Sequence, residues 1–275
     1  MQCFAVINVT ARPILLSFSL ISALLLLPPV GQRPTNAPGR VVLVRPVLGQ
    51  MPLVLNGPPA RTTAGDDVTV STLRCYLGPL TLRFSDGSTY QDPAPAHLLD
   101  LEDAASWAIN LRDAPAKSLS AISFGVGVDS AANVAGALGG VLDPALGMYW
   151  AWQSGYINAK IEGQSPSRPA SARRTFAFHV GGYARPHATR RTVRLPLATP
   201  STADTLTLLA DADRWLGTAP LAQTPDVLVP GPAAAAQADR VAAMFRWAAA
   251  PTGSASTQVS TKTSTPASTP AHAPR

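Results

Sequence analysis

Between residues 40 and 211, apolar side chains recur at every second position, in short runs closed by Gly, Pro, Asp or Ser. A period of two puts the apolar set of each run on one face, the pattern of a half-buried strand. "LTLRF" aligns Leu80, Leu82 and Phe84; "SWAINL" aligns Trp107, Ile109 and Leu111. "AISFGVGV" aligns Ile122, Phe124, Val126 and Val128, and "RTFAFHVGG" aligns Phe176, Phe178 and Val180. "RVVLVRPV", "TVRLPL" and "TLTLLA" add further strands. In "DVTVSTLRCYL", Val68 and Val70 share one phase, while Leu73, Cys75 and Leu77 share the other. A β-bulge makes such a slip. "DGS" at 86–88 is a turn signal. No long helical pattern alternates with these runs, which argues against a parallel α/β fold. The expected fold is all-β, an antiparallel β-sandwich or open barrel.

One stretch departs from period two. In "AAAAQADRVAAMFRWAA", Val241, Met244, Phe245 and Ala248 recur at i, i+3, i+4 and i+7. This spacing predicts an amphipathic C-terminal helix over residues 233–248, docked on the sandwich. "DADRWLG" reads as a short helical turn.

The two ends differ from the middle. Arg12 precedes the apolar run Ile14–Leu27, and Pro28, Pro29 and a polar segment with small residues follow it. That is the layout of a secretory signal peptide, expected over residues 1–37 with cleavage after Ala37. The run is short of the roughly 20 apolar residues a spanning helix needs, so no stable membrane span is expected. From Pro251 the chain is rich in Ser, Thr and Pro and almost without apolar residues, so residues 251–275 are expected to be a disordered tail. Residues 38–250 remain as one domain, in a periplasmic or secreted protein.

Composition narrows the function. The net charge of +6 is scattered, and its densest run, "RPHATRR" from Arg185 to Arg191, reads as a solvated loop. No aromatic residues interleave with those arginines, so no nucleic-acid partner is expected. Cys3 precedes the apolar run, which leaves Cys75 alone in the domain and rules out an intramolecular disulfide. Cys75 reads as a small core residue. There is no GxSxG or HExxH, and Glu102 and Glu162 are the two glutamates. Glu162 is expected to pair with Lys160 or an arginine. The chain is therefore read as not an enzyme.

"GMYWAWQSGYINAKIEG", residues 147–163, concentrates aromatics in a chain that is 6% aromatic. If it is extended, Trp150, Trp152 and Ser154 share one face, and Tyr149, Ala151 and Gln153 the other. Two tryptophans on one face can fill a core. The admixture of Gly, Gln and Ser, and the loop-like "GVLDPALG" before it, suit the rim of a site. A third reading makes Trp150, Trp152 and Tyr156 a stacking platform for a carbohydrate or peptide. Asp143 and Pro144 read as turn-formers. His179 faces away from the Phe176 and Phe178 ladder.

"GVGVDSAANVAGALGGVLDPALGMYWAWQSGYINAKIEG", followed by "FAFHVGGY", resembles the MbnP family of exported copper-binding proteins. "LRCYLGPLTLRFSDGS", "HLLDLEDAAS" and "ADRVAAMFRW" extend the similarity to roughly residues 40–248. The resemblance implies that Trp150, first of the Trp-x-Trp pair, is oxidised to kynurenine by a diheme, MauG-like peroxidase. The modified residue then helps to hold Cu(I), with His179 as a histidine close to the metal. Cu(I) favours imidazole and thioether donors. Intact indole offers a metal no usable lone pair, whereas opening its ring exposes an amine and a ketone. Met148 is a candidate thioether ligand and His97 a candidate second imidazole; His187, in the arginine-rich loop, ranks below both. Asp100 is expected to orient a ligand histidine. Trp152 is placed to relay oxidation to Trp150. The similarity departs at "VVLVRPV", where Arg45 stands and some members carry a histidine.

Overall fold

The computed structural model describes residues 39–152 and 155–248. The expected signal segment, 1–37, and the expected tail, 251–275, lie outside the described residues. The first strands are β1 (Arg40–Leu48), β2 (Met51–Pro52), β3 (Ala60–Arg61), β4 (Asp67–Leu77), β5 (Thr81–Phe84) and β6 (Thr89–Gln91). Next come β7 (His97–Asp100), β8 (Ala108–Leu111), β9 (Leu119–Val126) and the short helix α1 (Ser130–Ala135). A hairpin follows, β10 (Tyr149–Trp150) with β11 (Gly155–Gln164), then β12 (Thr175–Gly181), β13 (Arg191–Ser201) and β14 (Thr205–Asp211). The chain continues through α2 (Ala212–Leu216), α3 (Pro232–Ala243) and β15 (Phe245–Trp247).

These strands form two sheets, and neither closes into a barrel. The smaller runs β15–β14–β1–β2, with β8 also on β1. The larger has two antiparallel halves, β12–β11–β4–β7 and β13–β9–β5–β6, which meet where Leu77 pairs with Val126. Val42, Val44, Leu206 and Leu208 of the first sheet share one buried cluster with Leu73, Ile122, Ile161 and Phe178 of the second. The alternation expected from the sequence is what fills this cluster. The phase slip in β4 is a bulge: Glu162 pairs with Thr72 and Gly163 with Val70, which leaves Ser71 unmatched. Gly163 is required there, because a Cβ would lie 2.3 Å from Thr69 O and 2.7 Å from Phe176 Cζ.

Two features differ from the sequence expectation. The smaller sheet is mixed, since β1 pairs with β14 in parallel, Val41 against Thr205 through Val47 against Asp211. The C-terminal helix ends at Ala243, and residues 245–247 are a strand on β14. Phe-Arg-Trp fits either period. Here tertiary pairing decides: Phe245 packs edge-on against Phe124 at 5.2 Å, and Trp247 Nε1 donates to Pro196 O at 3.0 Å. The helix docks on β12 and β13 as expected, burying Ala234, Gln237, Ala238 and Val241. Gln237 Oε1 accepts from the indole of fully buried Trp215 at 2.8 Å.

A second, smaller cluster lies on the other face of the larger sheet. Tyr76, next along β4 from inward-facing Cys75, belongs to it together with Leu142, Met148, Trp150, Tyr156 and Ile157. The excursion from Asp129 to Met148 folds over these residues. Tyr76 Oη donates to Val141 O at 2.8 Å, and Tyr156 Oη to Leu142 O at 3.0 Å. Asn133 Oδ1 accepts the Tyr156 amide at 2.9 Å.

Candidate metal centre

Asp143 caps a 3-10 turn by accepting from Ala145 N, Pro144 opens that turn, and Gly147 leaves it with φ 70°. The reversal delivers Met148 and Trp150 to the outer face of β11. Tyr149 pairs with Tyr156 and Trp150 with Gly155. The Trp150 indole lies over Gly181: a Cβ on that glycine would meet Cζ3 at 2.6 Å. Trp150 is 7% exposed and Trp152 63% exposed, with ring centroids 5.8 Å apart. The hairpin turn, rather than a continuous strand, separates their environments.

Trp150 forms one wall of an open cleft of about 240 Å³, shared with Gly155, Tyr183, Arg185, His187 and Pro230. The loop between β12 and β13 is closed by Thr189, whose N and Oγ1 both donate to Gly182 O at 2.9 Å. Buried Asn158 ties that loop to the sheet, donating to Thr189 Oγ1 at 2.8 Å and accepting from Val128 N at 2.9 Å. These bonds hold His187 beside Trp150. His187, ranked below Met148 and His97 from the sequence, lines the same cleft as Trp150; no local pattern marks a loop histidine that shares a cleft with a distant hairpin.

His179 lies two residues before Gly181 on the same outward face of β12, so it neighbours Trp150 along the strand. Its Nε2 is 2.6 Å from Glu162 Oε1, and Lys160 is 4.0 Å from that oxygen. Burial holds the imidazole below its ordinary pKa, against the opposing pull of Glu162. Burial alone would raise the carboxyl, but the His179 hydrogen bond and the Lys160 charge together hold it below the usual range. A neutral ring donating from Nε2 to an ionised carboxylate satisfies both groups, and it leaves Nδ1 with the lone pair. A carboxylate orients a metal-binding histidine in this way. Glu162 pairs with Lys160 as expected, but its shorter contact, to His179, was not foreseen.

The remaining candidates do not line this cleft. Asp100, Arg74, Lys160 and His179 form one row across β7, β4, β11 and β12. Asp100 accepts from Arg74 Nε at 2.8 Å and holds no histidine. Arg74 and Lys160 in turn donate to Leu146 O and Gly147 O, both at 3.1 Å, which clamps the loop before Met148. His97 pairs with Leu77, three residues from Arg74, and so lies on the opposite face of the sheet from His179. Its Nε2 is 2.5 Å from Asp92 Oδ2. The sheet therefore separates the two imidazoles. Met148 is fully buried in the smaller cluster. Cys75 is fully buried too, and burial pushes its thiol far above the ordinary range, away from a metal-binding thiolate.

Among the described residues no three His, Cys, Asp or Glu side chains converge as a metal group. None of their helices is long and apolar enough to cross a membrane. A family model, MbnP, matches residues 41–230. The chain belongs to the MbnP family. Among solved structures, MbnP from Methylosinus trichosporium matches at 19% identity over 64% of this chain and 76% of that one, with a TM-score of 0.48. No curated protein matches. The MbnP span contains Trp150, His179 and His187 and stops before α3.

Proposed function

We propose that this MbnP-family protein is an exported, non-catalytic Cu(I)-binding protein. Its site is completed when a diheme, MauG-like partner oxidises Trp150 to kynurenine. The observation that carries the reading is the position of Trp150 on the wall of an open cleft beside His187, with His179 on the adjoining strand face. Two imidazoles suit Cu(I), and intact indole adds no further donor. In the conversion two equivalents of peroxide, used by the partner, are reduced as the indole C2–C3 bond is cleaved to a ketone and an N-formyl group; water then releases that group as formate, and the amine and ketone left behind are the new donors. His179 would present Nδ1 under the control of Glu162, and His187 would approach from the loop.

The oxidant must come from another molecule, since neither Cys3 nor Cys75 begins a CxxCH haem-attachment motif. Expressed alone, the protein should keep Trp150 intact and bind copper weakly. Co-expressed with the partner, the tryptic peptide carrying Trp150 should show the loss of carbon and gain of oxygen, and Cu(I) should bind tightly. Trp150→Phe should block both changes. If Trp150→Phe binds Cu(I) as tightly as wild type, the reading fails, and an aromatic platform for carbohydrate or peptide becomes the better account of the exposed Trp152.

A further inference from the structure

The outer face of the larger sheet is covered on one half. There the excursion from Asp129 to Met148 packs over Tyr76, Tyr156 and Ile157. The other half, β13–β9–β5–β6, keeps Arg83, Thr89, Gln91, Thr192 and Arg194 exposed. Ile122, Phe124 and Val126 of β9 enter the core, so Ala121, Ser123 and Gly125 face outward. Strand register then sets the rows of this face. Arg194, Ser123, Thr81 and Gln91 form one row, and Pro196, Ala121, Arg83 and Thr89 form the next. Thr192 stands opposite Gly125. Arg190, just before β13, lies across the same face: a Cβ on Gly125 would meet its Nη2 at 2.3 Å, and one on Gly78 at 3.3 Å. Gly78 N donates to Gly125 O at 2.7 Å, so two joined glycines floor this guanidinium.

The result is a flat face with arginines, hydroxyls between them and no carboxylate in its rows. Arg191 pairs with Asp239 at 2.5 Å, but among the described residues no ion pair engages Arg83, Arg190 or Arg194. At strand spacing, Arg190 and Arg194 stand about 13 Å apart, and Arg83 and Arg194 about 12 Å apart. No single phosphate spans such separations, so each guanidinium fork takes its own anion. The three do not lie on one line, so the matching partner presents several anions in a plane. Among the described residues none of the exposed large apolar side chains lies on these strands, so the contact is electrostatic, without insertion. We infer that this face docks on the phosphate headgroups of an anionic lipid bilayer. The loop from Gly182 to Arg190 joins it to the cleft of Trp150 and His187, so docking sets that cleft beside the lipid surface.

The test is co-sedimentation of the protein, purified from the exported fraction, with vesicles of phosphatidylglycerol and phosphatidylcholine or of phosphatidylcholine alone. Wild type should sediment with the anionic vesicles only. It should be released between about 0.1 M and about 1 M salt, where the screening length falls from about 10 Å to about 3 Å. Each arginine near such a surface is worth about fivefold in binding, so Arg83→Gln/Arg194→Gln should lower the partition coefficient by about 25-fold. Arg112→Gln/Arg173→Gln removes the same charge from exposed positions outside this face and should lower it by less than about threefold. All four positions are exposed, so thermal midpoints should stay at the wild-type value and confirm intact folds. Equal losses from the two double variants would reduce the effect to net charge and overturn the assignment of the face. Equal binding to phosphatidylcholine alone would place the contact in an apolar segment and overturn it as well. No sedimentation with anionic vesicles also sinks the proposal, and retention by heparin or inorganic phosphate would then assign the arginines to a linear polyanion or a free anion.

Discussion

A methyl group at position 181 would lie 2.6 Å from Trp150 Cζ3 and 2.7 Å from Tyr156 O. That single hydrogen in place of a side chain is what lets the indole approach β12 this closely, two residues along the strand from His179. Gly181→Ala should therefore cost about 1–3 kcal/mol and displace Trp150 from its wall. The thermal midpoint should fall and the tryptophan emission should shift. Gly139→Ala is the matched control: nothing lies within 4 Å of its would-be Cβ, so its effect should stay within about 0.5 kcal/mol. Equal midpoints for the two variants would contradict this account of the site.

At the scale of strands, β11 and β12 carry a titratable pair, Glu162 and His179. The imidazole sits below its ordinary value of 6.5 and the carboxyl below 4.5. On acidification the unfolded chain takes up the histidine proton first, so stability from neutral His179 is full above 6.5 and is lost as pH falls below it. The contribution of Glu162 is present above 4.5 and is lost as pH falls further. Metal-free protein should thus weaken steadily from neutral pH downward. His179→Gln, which keeps a donor for Glu162, should lose less between pH 7 and about pH 5 than wild type in urea midpoints. An identical loss in both proteins would remove His179 from the explanation. Strands β1, β4, β5, β8, β9, β12, β13 and β14 were legible in the sequence, down to the bulge in β4, because period two reports burial directly; β11 and β15 were not. The outward face of His179 was legible for the same reason. What was not legible depends on register between strands. Periodicity places His97 on a face of β7, but only the Leu77 pairing shows that this face is turned away from His179. The Glu162–His179 contact and the return of a loop to bring His187 beside Trp150 need that same long-range information.

In the whole molecule one buried cluster spans both sheets, which predicts a single cooperative unfolding transition. Leu208 is fully buried in β14 between β1 and β15. Leu208→Ala should cost about 2–5 kcal/mol, and the loss should register equally in near-ultraviolet and far-ultraviolet circular dichroism. Separate midpoints for the two signals would mean that the sheets melt independently. The parallel pairing of β1 with β14 also sets an order of events during biosynthesis. Val41 leaves the ribosome well before its partner Thr205 has been translated. At roughly 5–20 residues per second, a gap of that length amounts to roughly ten to thirty seconds. For that interval the first strand has an unfilled edge, and the newborn chain is open to wrong partners. A delay of this kind favours escort by a holding chaperone, and it keeps the chain in the unfolded form that a translocation channel accepts.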